Sequence, residues 1–168
     1  MSTLLKLNEP SETNHLPALS AMDQAPEKSF DDLAWLAAQV CCAPVAVVSM
    51  AGEHGQWVKS KVGLTAQEAG LEFTICSGAL AQRRMQVVTD VLQDERLAHD
   101  PLVSSGPKLR FFAGIPLITS DGQLAGTLSV MDRVPRQLSA EQVYALEVLA
   151  RQLVNQLEAR KQSGQEQA

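Results

Sequence analysis

The segment from 109 to 136 constrains the fold of this chain more than any other. It reads LRFFAGIPLITSDGQLAGTLSVMDRVPR, in which two apolar runs flank the triplet Ser120, Asp121 and Gly122. Glycine supplies the positive φ that a tight reversal needs, and aspartate favours turns, so the triplet predicts a β-hairpin. Its strands are predicted at Ile115–Thr119 and Gln123–Met131. Such a hairpin belongs in a sheet with at least one buried face.

The second strand of this hairpin has two faces of different chemistry, because side chains alternate along a strand. One face is mostly apolar and consists of Leu124, Gly126, Leu128 and Val130. The other is smaller and more polar and consists of Ala125, Thr127, Ser129 and Met131. We expect the first face to meet helices and the second to form the floor of a cavity.

The segment 29–42 predicts a helix near the start of the chain. Its apolar residues recur at helical spacing and comprise Phe30, Leu33, Ala34, Ala37, Val40 and Cys41. Ser29 is the predicted cap, and Pro44 is predicted to end the helix.

A second hairpin is predicted after this helix. Val45–Met50 is short and rich in β-branched residues, and Gln56–Val62 alternates between apolar and polar residues. The alternation predicts Trp57 on the opposite face from Val58, Ser60 and Val62.

The remaining elements complete an α+β architecture. A helix is predicted at Ser77–Arg84, a short strand at Val87–Val91, and an irregular connection at 92–110, of a length that is often functional. Because the strands come in hairpins, we expect a mainly antiparallel sheet of about five or six strands, with terminal helices on one face. The length of 168 residues suits one domain at 27–162, a flexible arm at 1–26 and a disordered tail at 163–168.

Charge and composition exclude several classes of function. The formal net charge is −5 and no block of Lys or Arg occurs, so nucleic-acid binding is not expected. No run approaches the roughly 20 apolar residues that cross a bilayer. The odd set of Cys41, Cys42 and Cys76 is a poor disulfide framework, so we expect a cytoplasmic protein. The histidines lie far from the cysteines and from one another, so no metal site is predicted.

Five segments, taken in order, resemble the GAF domain, a small-molecule-sensing relative of PAS domains. The similarity is greatest to a bacterial subgroup found beside histidine kinases and diguanylate cyclases. The segments are PEKSFDDLAWLAAQVCCAPVAVVSM, GQWVKSKVGL, FTICSGAL, VVTDVLQDERLAHDPLV and the hairpin segment quoted above. The resemblance implies a twisted antiparallel sheet whose strands follow the order 2-1-5-4-3. It also implies terminal helices on one face and a ligand cavity on the other, closed by the middle helix and the 92–110 connection.

The resemblance does not fix a ligand, because function resides in the site and not in the fold. GAF domains that bind cyclic nucleotides carry an Asn-Lys-Phe-Asp-Glu signature, which has no match here. Bilin-binding members attach the chromophore to a cysteine before the last hairpin, and residues 92–110 contain none. Free methionine sulfoxide reductases of this fold use several cysteines in the cavity loops, whereas only Cys76 falls near the implied cavity. No cofactor is therefore predicted.

The candidate ligand-binding residues come from the middle helix, the connection and the last hairpin. They are Cys76, Leu80, Asp94, Leu102, Arg110, Phe111, Phe112, Thr127, Ser129 and Met131. Cys76 is either a reactive sensor thiol or a small buried apolar residue. Arg110 either clamps an anion or pairs with Asp94 or Asp132 to pin the connection to the sheet. One of the two phenylalanines is expected in the core and the other at the cavity.

A long C-terminal helix is predicted at Ala140–Lys161, with Ser139 and Gln142 as its capping box. Its apolar residues recur at alternating spacings of three and four and comprise Val143, Leu146, Ala150, Leu153 and Leu157. This seam is either domain core or a dimer contact in which the first and last helices bundle. We favour the dimer, since a helix of this length spans about 30 Å.

These features together predict a non-enzymatic sensor or regulatory module in signal transduction. A small molecule or an oxidation event would alter the sheet, and the terminal helices would pass the change to a dimer or signalling partner. Two alternatives stay open: a thiol-dependent enzyme acting on free methionine sulfoxide, and a ligand-free scaffold that only dimerises. The initial methionine and the polar C-terminal end favour a standalone protein.

Overall fold

The computed structural model describes residues 27–52, 55–69 and 81–166, with side chains through residue 160. Its elements in chain order are α1 (Lys28–Cys41), β1 (Val45–Gly52), β2 (Gly55–Val62), α2 (Ala66–Ala69), β3 (Gln86–Val88), a 3₁₀ turn (Val91–Gln93), α3 (Pro101–Ser104), β4 (Phe111–Ile118), β5 (Leu124–Asp132) and α4 (Ala140–Glu166). The arm predicted at 1–26 and the first half of the helix predicted at Ser77–Arg84 lie outside the described residues; in its second half, residues 81–82 are helical and 83–84 are not. No helix of the described ranges is long and apolar enough to cross a membrane.

A single sheet of five strands organises these elements, in the order β2-β1-β5-β4-β3. All four neighbouring pairs are antiparallel. The predicted turn between β4 and β5 is present, with Gly122 at a φ of 85° and the Thr119 N–H donating to the Gln123 carbonyl at 2.9 Å. The predicted α+β fold and strand order are therefore confirmed.

One face of the sheet, called the helix face below, is covered by α1 and α4. Its core joins residues of both helices to alternate residues of the strands, including Phe30, Ala34, Val48, Leu128, Val130 and Leu153. Leu128 and Val130 thus meet the helices as predicted. Two details of α1 differ from prediction: Val40 is 39% exposed, and the N-cap position is occupied by Glu27 instead of Ser29.

The C-terminal helix α4 begins as predicted but packs differently. Ser139 and Gln142 form the capping box, because the Ser139 N–H donates to Gln142 Oε1 at 2.9 Å and the Gln142 N–H donates to Ser139 Oγ at 3.1 Å. Most of the seam predicted as a dimer contact is instead buried in the helix-face core of its own domain: Leu146, Ala150, Leu153 and Leu157. Val143 is half-buried. The helix continues through Glu166, so residues 163–166, predicted to be disordered, are helical.

A bulge in β2 inverts the side-chain alternation that the sequence predicts there. Val48 pairs with Ser60 and Ser49 pairs with Val58, which leaves Lys59 as an extra residue. An extra residue moves the following side chains to the opposite face. Trp57 and Val62 therefore both pack on the helix face, and the prediction that separated them is wrong.

A second irregularity lies where β5 begins. Leu117 pairs with Gly126 and Ile118 with Leu124, so Ala125 is the extra residue and packs on the helix face instead of the predicted cavity face. Gly126 is required here, because a Cβ on it would lie 2.0 Å from the carbonyl oxygen of Ser49. The close approach of β5 to β1 thus depends on a missing side chain.

Candidate functional site

The face of the sheet opposite α1 and α4, called the second face below, combines apolar and hydroxyl side chains. The register of the three central strands places on it Val45, Val47, Ser49, Phe112, Gly114, Pro116, Thr127, Ser129 and Met131. Thr127, Ser129 and Met131 share this face as predicted from the alternation of β5.

One end of the second face is filled by protein side chains. Val45, Val47, Phe112 and Met131 pack there against Leu102, Val103 and Leu109 of the connection and against Leu64 and Val91. The predicted site residues Leu102, Phe112 and Met131 are thus brought together. The ring of Phe112 lies over Gly114, since a Cβ on that glycine would be 2.5 Å from Phe112 Cζ. This end forms a second apolar core and leaves little room for a ligand.

The other end of the second face carries two buried hydroxyl groups. Ser49 and Thr127 occupy paired positions on β1 and β5 and are 1% and 0% exposed. Neither Ser49 Oγ nor Thr127 Oγ1 has a hydrogen-bond partner among the residues that the structure describes. Ser129, two residues along, donates to the Val47 carbonyl at 3.4 Å. Since a buried hydroxyl without a partner costs about 1–3 kcal/mol, the pair is an unusual feature of the sheet.

Sequence reasoning found Thr127 but missed Ser49. Ser49 could have been found from the sequence, because it is the only polar residue in the run VAVVSM. It follows Val45 and Val47 at two-residue spacing, so it lies on the same face of the strand. What the sequence did not give was the pairing of Ser49 with Thr127, which follows only from the β1–β5 register.

Arg110 is engaged in an ion pair away from these hydroxyls. Its Nε and Nη2 donate to Asp90 at 3.0 and 2.9 Å, and Asp90 also accepts the Leu92 N–H at 3.1 Å. The hydrogen bond from Arg110 lowers the pKa of Asp90. Asp90 is therefore the residue that pins the connection to the sheet. The predicted partners, Asp94 and Asp132, do not have this role. Only the backbone N–H of Arg110 reaches the Asp132 carbonyl, at 2.8 Å.

The distance along β5 separates Arg110 from the hydroxyl pair. Asp132, beside which Arg110 lies, is five residues beyond Thr127, which is about 16 Å along a strand. An anion clamped by Arg110 would therefore not also reach Thr127.

The other predicted site residues lie elsewhere or outside the described ranges. Asp94 forms a local ion pair with Arg96 at 2.9 Å, which lowers the pKa of Asp94. Phe111 lies in the helix-face core, 5.9 Å below the guanidinium of Arg136. Cys76 and Leu80 lie outside the described residues, so their prediction stays untested.

The two other cysteines lie at the end of α1. Cys41 is buried in the helix-face core, and desolvation raises the pKa of its thiol to about 11. Cys42 is exposed in the left-handed C-cap position. Neither therefore joins the second face. Within the described ranges no three His, Cys, Asp or Glu side chains are grouped as a metal site.

Polar contacts tie the far end of α4 to the sheet at two places. Glu27 accepts from Lys59 Nζ at 3.1 Å and pairs with Arg160 at 2.9 Å. Lys59 is the bulged residue of β2, and its side chain is 1% exposed. Two residues earlier on α4, Glu158 accepts the backbone N–H of Ser120 at the tip of the β4–β5 hairpin. The helix is thus linked to both the edge strand and the hairpin that carries Thr127.

Comparison with known proteins identifies the fold. The family described as the GAF domain matches residues 25–157. A cyclic di-GMP phosphodiesterase of Pseudomonas aeruginosa is 28% identical over 139 residues, which cover 83% of this chain and 24% of the relative, so the chain spans about a quarter of that protein. The GAF domain of a phosphoenolpyruvate-protein phosphotransferase from Coxiella burnetii superposes with a TM-score of 0.70 at 18% identity, over 86% of this chain and 90% of the other. A domain described as part of a two-component sensor histidine kinase of Sinorhizobium meliloti gives 0.69 at 18% identity, over 86% and 99%.

Proposed function

The chain belongs to the GAF domain family, and we propose that it is a non-enzymatic sensory module that binds a small molecule on the second face of its sheet. The observation that carries this proposal is the buried pair Ser49 and Thr127, whose hydroxyls have no hydrogen-bond partner within the described ranges. Buried polar groups are nearly always paired, and the exceptions often mark places where a ligand or ordered water completes the bonding. A ligand that accepts from and donates to both hydroxyls would complete it.

The relatives favour a role in signal transduction. The similar proteins include a cyclic di-GMP phosphodiesterase and a domain described as part of a sensor histidine kinase. We infer that this chain regulates a signalling output of that general kind, through a partner or a neighbouring domain. Catalysis would reside in that partner, because the described second face brings together hydroxyl and apolar side chains and no acid–base pair.

A route from the second face to the C-terminal helix supports this role. Thr127 lies on the hairpin whose tip, at Ser120, is bonded to Glu158 of α4. Ser49 lies on β1, which pairs with the bulged strand whose Lys59 is bonded to Glu27, and Glu27 is bonded in turn to Arg160. A ligand that shifts β1 against β5 would change both attachments. Such a shift requires different affinities for the two states.

We propose that the partner contacts the exposed side of α1 and α4 and not the buried seam of α4. Trp35, Leu36 and Val40 on α1 and Tyr144 on α4 are 53, 40, 39 and 61% exposed. The two helices adjoin there, since Gln142 Nε2 donates to the Val40 carbonyl at 3.2 Å. We propose that a second copy of the chain packs on this surface, because two adjacent helices and their symmetry mates can form a four-helix bundle.

Native mass spectrometry of the purified chain tests both parts of the proposal. We expect a dimer and a small molecule retained under gentle conditions. Trp35→Glu should dissociate the dimer without releasing the small molecule, whereas Thr127→Val should release the small molecule without dissociating the dimer. A wild-type protein that is monomeric contradicts the proposed contact. A mass equal to that of the bare chain, with no mass gained from a metabolite extract, contradicts ligand binding.

A further inference from the structure

We propose that Arg136 is a positioning residue for the partner surface and couples that surface to the connection. The partner surface consists of the exposed side chains of α1 and α4 named above, Trp35, Leu36, Val40 and Tyr144. This inference rests on the proposed function, since it concerns the proposed contact with a second copy. It goes further by assigning the residue that holds this surface in shape, at the end of α1 opposite to Glu27.

The C-terminal turn of α1 is held by side chains from outside the helix. Arg136, between β5 and α4, donates from Nη1 to the Cys42 carbonyl at 2.9 Å. Gln142, in the first turn of α4, donates from Nε2 to the Val40 carbonyl at 3.2 Å. The last carbonyls of a helix lack intrahelical partners and carry partial negative charge, and α1 has no basic residue of its own in its last turn. Arg136 therefore supplies a cation that fixes the end of α1 beside the start of α4.

The same guanidinium is anchored to the end of the sheet. It pairs with Asp132 of β5 at 3.4 Å and lies 5.9 Å from the centre of the Phe111 ring of β4. Phe111 and Asp132 are paired positions, and the Phe111 ring is fully buried. A movement of β4 or β5 at this end would therefore carry the guanidinium, and with it the last turn of α1.

A closed ring of contacts joins Arg136 to the connection. The backbone N–H of Arg136 donates to the carbonyl of Thr89 at 3.2 Å, and Asp90 follows directly. Asp90 pairs with Arg110, whose backbone N–H donates to the Asp132 carbonyl at 2.8 Å. The pair of Asp132 with Arg136 closes the ring. Both ends of the connection thus meet the residues that hold α1.

The connection extends from this ring to the second face. Leu102 and Leu109 of the connection pack there with Val47, and Arg110 follows Leu109 directly. A ligand that moves the connection would therefore act on the ring and, through Arg136, on the partner surface. Hydrogen-bonded networks of this kind can carry coupling between two sites when they have two arrangements.

Arg136→Met tests the positioning role, because it removes the guanidinium and keeps an unbranched apolar side chain. We expect the dimer of the full chain to be weakened about fivefold or more in sedimentation equilibrium, as for a typical coupling between two sites. Arg133→Met is the matched control, because Arg133 is exposed on the same segment and its described hydrogen bond is made by its backbone N–H. The control should leave the dimer unchanged.

Asp90→Asn tests the coupling, because the bonds of Asp90 go to Arg110 and Leu92 and not to α1. Amide hydrogen exchange is measured by mass spectrometry on the monomer, after dilution below the dimer dissociation constant. Exchange should quicken in the last turn of α1, and the dimer should weaken. Asp94→Asn, which breaks a local ion pair with Arg96 in the same connection, should change neither.

Each contrary result overturns a defined part. A wild-type chain that is monomeric at every concentration overturns the proposed partner contact, and this inference with it. A wild-type dimer that Arg136→Met leaves intact overturns this inference while the partner contact stands. Unchanged exchange in the last turn of α1 in Asp90→Asn overturns the coupling and leaves Arg136 as a local cap of α1. If Arg136→Met does not fold, the exchange and the dimer affinity of Asp90→Asn decide the inference.

Discussion

The two faces of the sheet differ in whether their deeply buried polar side chains are hydrogen-bonded. On the helix face, Lys59 is bonded to Glu27, and Ser60 donates to Asp31. On the second face, Ser49 and Thr127 are as deeply buried, and their hydroxyls have no hydrogen-bond partner in the described part of the chain. The half-buried Gln56, Trp57 and Gln156 also carry a polar atom without a partner among the described residues, but they lie on the edge strand and on the outer helix.

We interpret this difference as a division of roles, in which the helix face stabilises the fold and the second face binds a ligand. A helix face whose fully buried polar groups are paired holds α1 and α4 on the sheet. A second face that leaves two hydroxyls unpaired gives up stability, which proteins commonly do at binding sites. The predictions below compare substitutions on the two faces, beginning with the largest expected effect.

Leu153→Ala should give the largest loss of stability. Leu153 is 0% exposed in the helix-face core, and deletion of a buried leucine side chain costs about 3 kcal/mol or more. Chemical denaturation measures this loss. Sedimentation should show an unchanged oligomeric state, because the residue packs within its own domain. A variant that is fully stable but dissociated would restore the original interpretation of the seam as a dimer contact.

Glu27→Gln should be the next most damaging change. It removes the charge that faces Lys59, whose side chain is 1% exposed, and that also faces Arg160. We expect a loss of about 2 kcal/mol, since hydrogen bonds to charged groups contribute about 1.5–3 kcal/mol. Asp32→Asn is the control, because the exposed Lys28–Asp32 pair should contribute less than about 0.5 kcal/mol. Equal effects of the two substitutions would show that the buried pair has no special role.

The Asp90–Arg110 pair should contribute a smaller, pH-dependent part of the stability. Arg110 lowers the pKa of Asp90 in the folded state, so the folded protein holds the proton more weakly than the unfolded chain. The contribution is therefore complete above the ordinary carboxylate range near pH 4 and is lost as the pH falls below it. Asp90→Asn should flatten this acid dependence of the melting temperature. An unchanged acid dependence in Asp90→Asn would contradict the assignment.

Thiol labelling should show the smallest effect, because it leaves stability untouched. In a Cys76→Ser background at pH 8, iodoacetamide should modify the exposed Cys42 and leave Cys41 unmodified. Burial raises the pKa of Cys41 to about 11, so little thiolate is present and the thiol is inaccessible. Mass spectrometry of the labelled peptides measures this. Rapid labelling of Cys41 would show that the helix face opens readily.

Local rules predicted the parts of the fold that depend on neighbouring residues. The capping box of Ser139 and Gln142 and the turn at Gly122 each follow from a few residues in sequence, and both are present. The helix side of Leu128 and Val130 follows from alternation, which holds because β5 pairs with β1 without a shift. Whether Cys76 is reactive stays a prediction.

The parts that were wrong depend on contacts between distant segments. Nothing in QWVKSKV marks Lys59 as the bulged residue, since a bulge is defined by the partner strand. The seam spacing of α4 is the same whether it packs on its own sheet or on another copy. The pairing of Arg110 with Asp90 spans 20 positions and depends on the path of the connection between them.

One substitution made on both faces tests the central claim most directly. Ser49 and Ser60 are buried serines on adjacent strands, at 1% and 4% exposure, and each is changed to alanine in ligand-free protein. Ser60→Ala should lower the free energy of unfolding by about 1.5 kcal/mol, because it removes a hydrogen bond to Asp31. Ser49→Ala should leave that free energy unchanged or raise it. A loss for Ser49→Ala as large as that for Ser60→Ala would mean that the Ser49 hydroxyl already has a bonding partner in the ligand-free protein, and would contradict the claim that the pair is kept for a ligand.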